Sequence, residues 1–296
     1  MSVLSKDYFH DEEAAFGHLE AVLWPNGPVC PHCGGMDRIS RIKANPAKRI
    51  RIGLHKCGDC GKQFTVKVGT VFEHGRIPLH KFLQAVHLLC SSKKGISAYQ
   101  LHRILEVQYK TAWFLAHRIR EAMCSTDFSP LGGEGKAVEA DETFIGRLEG
   151  LPKPRRGSAS YRNTVLTLVE RGGRARSFHG ESHTVGQIVP IVRENIAREA
   201  RLMTDEARHY LKVGEEFAAH GRVNHGQDEY VRGDIRGMKG VYQHCAEKHL
   251  HRYLAEFDFR YTSRSALGIE DQERSGQALG GMKGKRLLYK QPIDIG

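Results

Sequence analysis

The chain has 296 residues, 40% of them hydrophobic and 27% charged, which is enough apolar material for two or more packed units and excludes a disordered polyelectrolyte. Its formal charge of +11 and pI of about 9.3 favour a polyanionic partner, nucleic acid ahead of an anionic membrane surface. No apolar run approaches the roughly 18 residues of a membrane span, the start Met1-Ser2-Val3-Leu4-Ser5-Lys6 lacks the apolar core of a secretion signal, and seven cysteines, an odd number, suit a reducing compartment; the expectation is a cytoplasmic protein without a membrane partner.

The first informative pattern is Cys30-Pro31-His32-Cys33-Gly34, answered by Cys57-Gly58-Asp59-Cys60-Gly61, with 24 positions from Cys33 to Cys57. Four thiolates at tetrahedral reach bind zinc, and glycine lets the backbone fold over the sulfurs. Cys30, Cys33, Cys57 and Cys60 are therefore the expected ligands of a structural zinc, with redox dithiols the alternative and His32 a bystander. Between the knuckles run Arg38, Arg41, Lys43, Lys48, Arg49 and Arg51, a basic hairpin that suits phosphates or plain solvation. Phe64, Val66 and Val68 alternate with polar residues and predict the strand that closes a zinc ribbon.

From Pro78 the period turns helical, with Leu79, Phe82, Leu83, Val86 and Leu89 on one face. Ser97 and Gln100 form a capping-box pattern opening a short helix through Leu101, Ile104 and Leu105. A second helix from Tyr109 to Met123 is expected to bury Trp113, Ala116, Ile119 and Met123 and to carry Lys110, His117, Arg118 and Arg120 outward. The pair reads as a helix-turn-helix, with an ordinary helical hairpin as the alternative. Cys90 and Cys124 read as packed thiols.

Residues 125–136 have the Ser, Gly and Pro content of a linker. Next comes Ala137-Val138-Glu139-Ala140-Asp141-Glu142, where small apolar residues alternate with acids and predict a strand bearing Glu139 and Asp141 on one face. Leu151-Pro152-Lys153-Pro154-Arg155-Arg156-Gly157 is a basic loop by composition. Val165 to Val169 and Arg174 to Phe178, turned by Gly172-Gly173, predict a hairpin. A helix capped at Thr184 should bury Val185, Ile188, Val189, Val192 and Ile196 and be kinked or delayed by Pro190. Arg201-Leu202-Met203-Thr204-Asp205 is a second strand ending in an acid, 64 residues after Asp141, followed by a short helix around 207–211. Two strand ends bearing acids can hold a divalent cation; a solvated edge or a helix cap is the plainer reading of either acid. The order of strand, hairpin, helix and strand is that of a ribonuclease H-like fold.

These residues carry a resemblance. The chain resembles the bacterial insertion-sequence DDE transposases that have an N-terminal zinc ribbon and an integrase-like domain. The matching passages are 30–34, 57–65, Lys110-Thr111-Ala112-Trp113-Phe114, 139–146, Thr204-Asp205-Glu206, 229–234 and, most specific, His249-Leu250-His251-Arg252-Tyr253-Leu254-Ala255-Glu256-Phe257-Asp258-Phe259-Arg260-Tyr261; together they extend over about 15–290. The resemblance implies that Asp141 and Asp205 are the first two members of a catalytic triad holding magnesium or manganese. It also implies that the ribbon and helices grip transposon ends through residues such as Arg49, Arg51, Lys110, Arg118, Arg120, Arg155 and Arg156. The partners implied are double-stranded DNA, as terminal inverted repeats and as target, and further copies of the chain assembled on it at the bacterial nucleoid.

One departure stands out. Members of that family carry a helix with the third catalytic residue where this chain runs Gly233-Asp234-Ile235 straight into Arg236-Gly237, so roughly a dozen residues, about three helical turns, are missing. Asp228, Glu229 and Asp234 precede that position, and Glu247 belongs to the next helix, whose Leu250, Tyr253, Leu254 and Phe257 share a face. The expected organisation is a multidomain α/β chain. It comprises an N-terminal segment and zinc ribbon (1–75), a helix-turn-helix region (76–127), a ribonuclease H-like mixed sheet flanked by helices and internally deleted near 235/236 (128–262), and a basic C-terminal tail (263–296).

Overall fold

The computed structural model describes residues 2–145, 150, 163–180, 184–205, 210–222, 242 and 245–287. The chain divides into two compact units, Met1–Met123 with Glu270–Gly296, and Cys124–Ile269.

In the first unit, α1 (Glu12–Leu23) starts where Asp11 accepts the Ala14 N–H at 2.7 Å, and buries Ala15, Phe16, Leu19 and Leu23. The ribbon is a three-stranded antiparallel sheet of β1 (Ile39–Arg41), β2 (His55–Cys57) and β3 (Gln63–Phe64). The predicted closing strand stops at Phe64, short of Val68. Thr65 Oγ1 accepts the Lys67 N–H and the Thr70 hydroxyl donates to the Lys67 carbonyl, local bonds that turn the backbone out of the ladder.

Helix α2 (Leu79–Ser91) buries Leu79, Phe82, Leu83, Val86 and Leu89 on the face that the periodicity indicates. Its N-terminus is capped from α1, because the Glu12 carboxylate accepts the Leu79 and His80 N–H groups at 2.8 and 3.2 Å. Ser97 caps α3 (Ala98–Leu105) by accepting the Gln100 N–H, and Glu106 makes the turn into α4 (Tyr109–Met123) with a φ of +51°. Two expectations for α4 are corrected. His117, Arg118 and Arg120 point inward, being 1%, 7% and 2% exposed, and Trp113 is only half-buried. The reason is that α4 is packed by α3, by α2 and by a helix from the far end of the chain, so it has no single solvent face.

The second unit is built on β4 (Ala137–Ile145), β5 (Asn163–Glu170), β6 (Ala175–Gly180), α5 (Val185–Asn195), β7 (Arg201–Thr204), α6 (Tyr210–Gly214), β8 (Ala219–Arg222) and α7 (Leu250–Thr262). The sheet order is β6-β5-β4-β7-β8, with β4, β5 and β6 antiparallel and β4, β7 and β8 parallel, the ribonuclease H-like arrangement. One face is covered by α5 and α6 through Val138, Ala140, Leu166, Leu168, Ile188 and Val192. The other packs Ile145 and Val165 on Leu250, Tyr253, Leu254 and Phe257 of α7.

Val185, expected inside, is 57% exposed, and Pro190 lies within α5, where it withholds the donor that the Gly186 carbonyl would meet. The expected linker 125–136 is instead a structured arm. Leu131 is fully buried, its N–H donates to the Asn195 carbonyl at 2.8 Å, and Arg174 ion-pairs with Asp127.

The chain then returns to the first unit as α8 (Asp271–Gly280). The stretch expected as a basic C-terminal tail is packed here: Ala278, Leu279 and Met282 are buried, the Arg274 guanidinium donates to the Cys90 carbonyl at 2.8 Å, and Thr70 bridges to Lys283. Gly281 has to be glycine, because a Cβ there would lie 2.4 Å from the Ala122 carbonyl oxygen. None of the described helices is long and apolar enough to cross a membrane.

Candidate active site and metal centre

The parallel pairing of β4 with β7 aligns Ala137 with Arg201, Val138 with Leu202 and Glu139 with Met203. That constant offset of 64 is also the spacing of Asp141 and Asp205 in the sequence, two positions beyond the last paired residues, Glu139 and Met203. Asp205 lies one residue beyond the end of β7, and both acids are half-buried. Alternation along β4 turns Val138 and Ala140 toward α5 and turns Asp141, like Ile145, toward α7.

Neighbouring acids are engaged elsewhere. Glu142 faces the opposite side, where Oε1 accepts the Tyr210 hydroxyl at 2.5 Å. Burial raises the Tyr210 phenol well above its usual pKa, and the charges of Glu142, Asp205 and Asp141 add to that, so the phenol stays a donor at any working pH. Glu139 accepts from Arg171 Nε at 2.5 Å.

Sequence reading missed the polar row beside Asp141. Thr167 is its partner on β5, Thr167 Oγ1 lies 3.2 Å from Ser177 Oγ on β6, and Ser177 donates through its N–H and hydroxyl to Asp258 of α7 at 2.8 and 2.6 Å. The signal was present in the parity of Thr167 and in the acid within 249–261, but only the sheet order joins them. The set of hard oxygen donors at Asp141 and Asp205 fits a divalent cation such as magnesium or manganese.

The second centre is the cysteine cluster. The sulfurs of Cys30, Cys33, Cys57 and Cys60 lie within 4.8 Å of one another, with 3.7 Å between Cys30 and Cys60 and 3.6 Å between Cys33 and Cys57. Zinc–sulfur bonds of about 2.3 Å in a tetrahedron put sulfurs about 3.8 Å apart, whereas a disulfide needs about 2.05 Å, so the spacing fits zinc. Both knuckles close alike. The Gly34 N–H bonds to the Cys30 carbonyl and the Gly61 N–H to the Cys57 carbonyl, with φ of +78° and +73°. At Cys30 desolvation opposes ionisation, but the N–H groups of His32 and Cys33 and the neighbouring thiols outweigh it and hold the thiol down to about 7. Phe64 and Trp24 pack against the cluster, and His32 packs edge-on to Phe64 as a non-ligand. Among the described residues this is the one group of three or more His, Cys, Asp or Glu side chains close enough to share an ion.

Of the basic residues expected at DNA, Arg49, Arg51 and Lys110 are exposed, Arg118 and Arg120 are buried, and Arg155 and Arg156 lie outside the described residues, as does the junction near 235/236.

Comparison with known proteins gives three findings. The transposase zinc-ribbon domain matches residues 10–63, and the ISXO2-like transposase domain, a DDE domain, matches residues 130–262. An uncharacterised protein in transposable element ISH50 of Halobacterium salinarum is 29% identical over 242 residues, covering 77% of this chain and 79% of that protein. Among solved structures, a chain of the pre-cleavage Mos1 transpososome aligns with a TM-score of 0.26 and 10% identity, over 70% of this chain and 77% of that one.

Proposed function

This chain joins a transposase zinc ribbon to an ISXO2-like transposase domain and so belongs to the DDE transposases, and from that premise we propose that it binds the inverted-repeat ends of its own insertion sequence and is a metal-dependent DNA cleavage and strand-transfer protein whose chemistry is impaired. Asp141 and Asp205 would hold magnesium or manganese, which when bound activates a water or a 3′-hydroxyl and stabilises the leaving oxygen of a phosphodiester. The observation that supports this assignment is the offset of 64 in the pairing of β4 with β7, which is also the spacing of Asp141 and Asp205. Tyr210 keeps Glu142 turned to the other face and Arg171 holds Glu139, so neither substitutes for a third ligand. Arg49, Arg51 and Lys110 are the exposed cations that would contact DNA phosphates, and the active form would be a homo-oligomer on DNA at the nucleoid of the cytoplasm.

The impairment rests on the run Gly233-Asp234-Ile235-Arg236-Gly237, which has no room for the third catalytic residue. That run also favours a second reading, a catalytically silent DNA-binding protein that competes for the same ends. Strand transfer with purified protein, pre-cut transposon ends and magnesium decides between them. The expected result is no joined product, and turnover abolished by Asp141→Asn would establish an active enzyme instead. Binding of Mn²⁺, followed by the loss of its free-ion electron paramagnetic resonance signal, tests the site separately. Asp141→Asn should weaken it at least about tenfold, the cost of one carboxylate–cation interaction of ~1.4 kcal/mol or more, and unchanged binding would remove Asp141 from the metal site.

A further inference from the structure

In the first unit, two cavities of about 700 and 390 Å³ share the segment Gly75, Arg76 and Ile77. The larger is lined by Arg49, Arg51, Lys67 and Arg76, the smaller by Arg76, Lys110 and Arg118. The acid on the larger cavity, Glu12, is already engaged at the N-terminus of α2, where it accepts from Leu79, His80 and the His80 ring. Six cations therefore face these cavities with no carboxylate free to answer them among their described lining.

Arg118 is the unusual member. It is 7% exposed, its guanidinium stacks over the Phe114 ring at 4.8 Å, and its buried Nε has no hydrogen-bond partner. An interior guanidinium left without an acceptor carries a large desolvation cost. Stacking covers a face of the group, which also lines the smaller cavity, and a guanidinium is a planar fork suited to phosphate oxygens. Lys67 closes in from the other side. Its Nζ donates to the Gly75 carbonyl at 3.1 Å, and a Cβ on Gly75 would stand 3.1 Å from Arg118 Nη1, so both cations converge on that glycine. Burial lowers the pKa of Lys67, with Arg118 and Arg51 adding to the effect against Glu12, as in a site where positive charge is gathered ahead of an anion. Lys110 is exposed and lines the same cavity as Arg118, which connects the recess to the surface.

We propose that Arg118, with Lys67 and Arg76, forms a recessed phosphate site that seats one phosphodiester of bound DNA. The site fixes the register of the duplex and reads no base. The proposal rests on the reading of this chain as a DNA-binding protein, and it replaces the outward role expected for Arg118 by an inward one.

The test uses the full chain and two neutral replacements, Arg118→Met and Arg118→Gln. Thermal melting in inorganic phosphate is compared with melting in chloride at equal ionic strength, and affinity for a transposon-end duplex and an unrelated duplex is measured across chloride concentrations. Phosphate should raise the Tm of the native chain and not that of either variant, and both variants should melt no lower than the native chain in chloride. Both should bind either duplex about tenfold more weakly, with a slope of log K against log salt shallower by about 0.9, the share of one phosphate. Absence of a phosphate response in the native chain, or an equal response in the variants, overturns the site. Unchanged DNA affinity and slope, with the phosphate response lost, makes it a site for free phosphate and overturns the DNA assignment. If the native chain binds no duplex while its melting still responds to phosphate through Arg118, the DNA-binding reading falls and the anion site stands.

Discussion

Asp258 ties α7 to the edge strand β6 by accepting from the Ser177 N–H and hydroxyl. Desolvation raises its pKa to about 6 from an ordinary 3.8, in spite of those two bonds and Arg176, which favour the ionised form. A carboxyl whose folded-state pKa is raised gives stability that is fully present below about 3.8 and is lost as the pH climbs through about 6. Asp258→Asn keeps an acceptor for the Ser177 N–H and removes the buried charge. Denaturant melts between about pH 4 and 7 should show the native chain losing stability as the pH rises to about 6 and levelling off above it, with the variant nearly flat throughout; parallel profiles would show that Asp258 does not titrate in this window. At this scale the sequence was readable where one geometric rule governs. The alternation that includes Asp141 is that of β4, the offset of 64 recurs in the β4–β7 pairing, and the four cysteines obey a spacing with few alternatives. Arg118 and Arg120 are not legible in this way, because charge ordinarily means solvent and nothing local in α4 tells that three helices surround it.

Among the elements, the ribbon depends most on something outside the chain. Its own apolar cluster is little more than Cys30, Cys57 and Phe64 with Trp24 and Ile39 against them, too small a core to hold three short strands. Trp24 packs edge-on to Phe64 at 5.9 Å and to His55 at 5.4 Å, and the other tryptophan, Trp113, lies on α4. In a Trp113→Phe chain, removal of zinc by a chelator should shift Trp24 emission to the red and leave most of the helical circular dichroism, since the apolar cluster at the cysteines draws on Trp24, Ile39, Phe64 and Val68 and not on α2, α3 or α4. Emission that stays put while a zinc dye records full release would mean that the ribbon folds without metal. Helices α2 and α3 and the strands β4 and β5 were legible from periodicity and caps. The short β3 and the helical course through Pro190 were not, because side-chain bonds at Thr65 and Thr70 and packing of Ile188 and Val192 decide them.

For the molecule as a whole, the first unit is discontinuous in sequence: it is left at Met123 and re-entered at Glu270. Composition gave no hint of this, since Asp271 to Gly280 is polar and contains two glycines, and only Ala278 and Leu279 with Met282 beyond mark it as packed. Burial of Leu279 and Met282 is worth about 1.5–3 kcal/mol each, and the Arg274 bond to the Cys90 carbonyl adds to that. A chain ending at Ile269 should therefore lose the cooperative melting of the first unit while retaining that of the second. Limited proteolysis would show it as rapid cutting within 1–123 beside a resistant fragment of 124–269; equal resistance of both would mean that α8 is dispensable.

The return of the chain at Glu270 also constrains how copies of such a gene can decay. A premature stop between codons 124 and 270 strips the first unit of its closing helix, so a shortened copy keeps that unit closed only by losing an interior stretch in frame, with the final codons preserved.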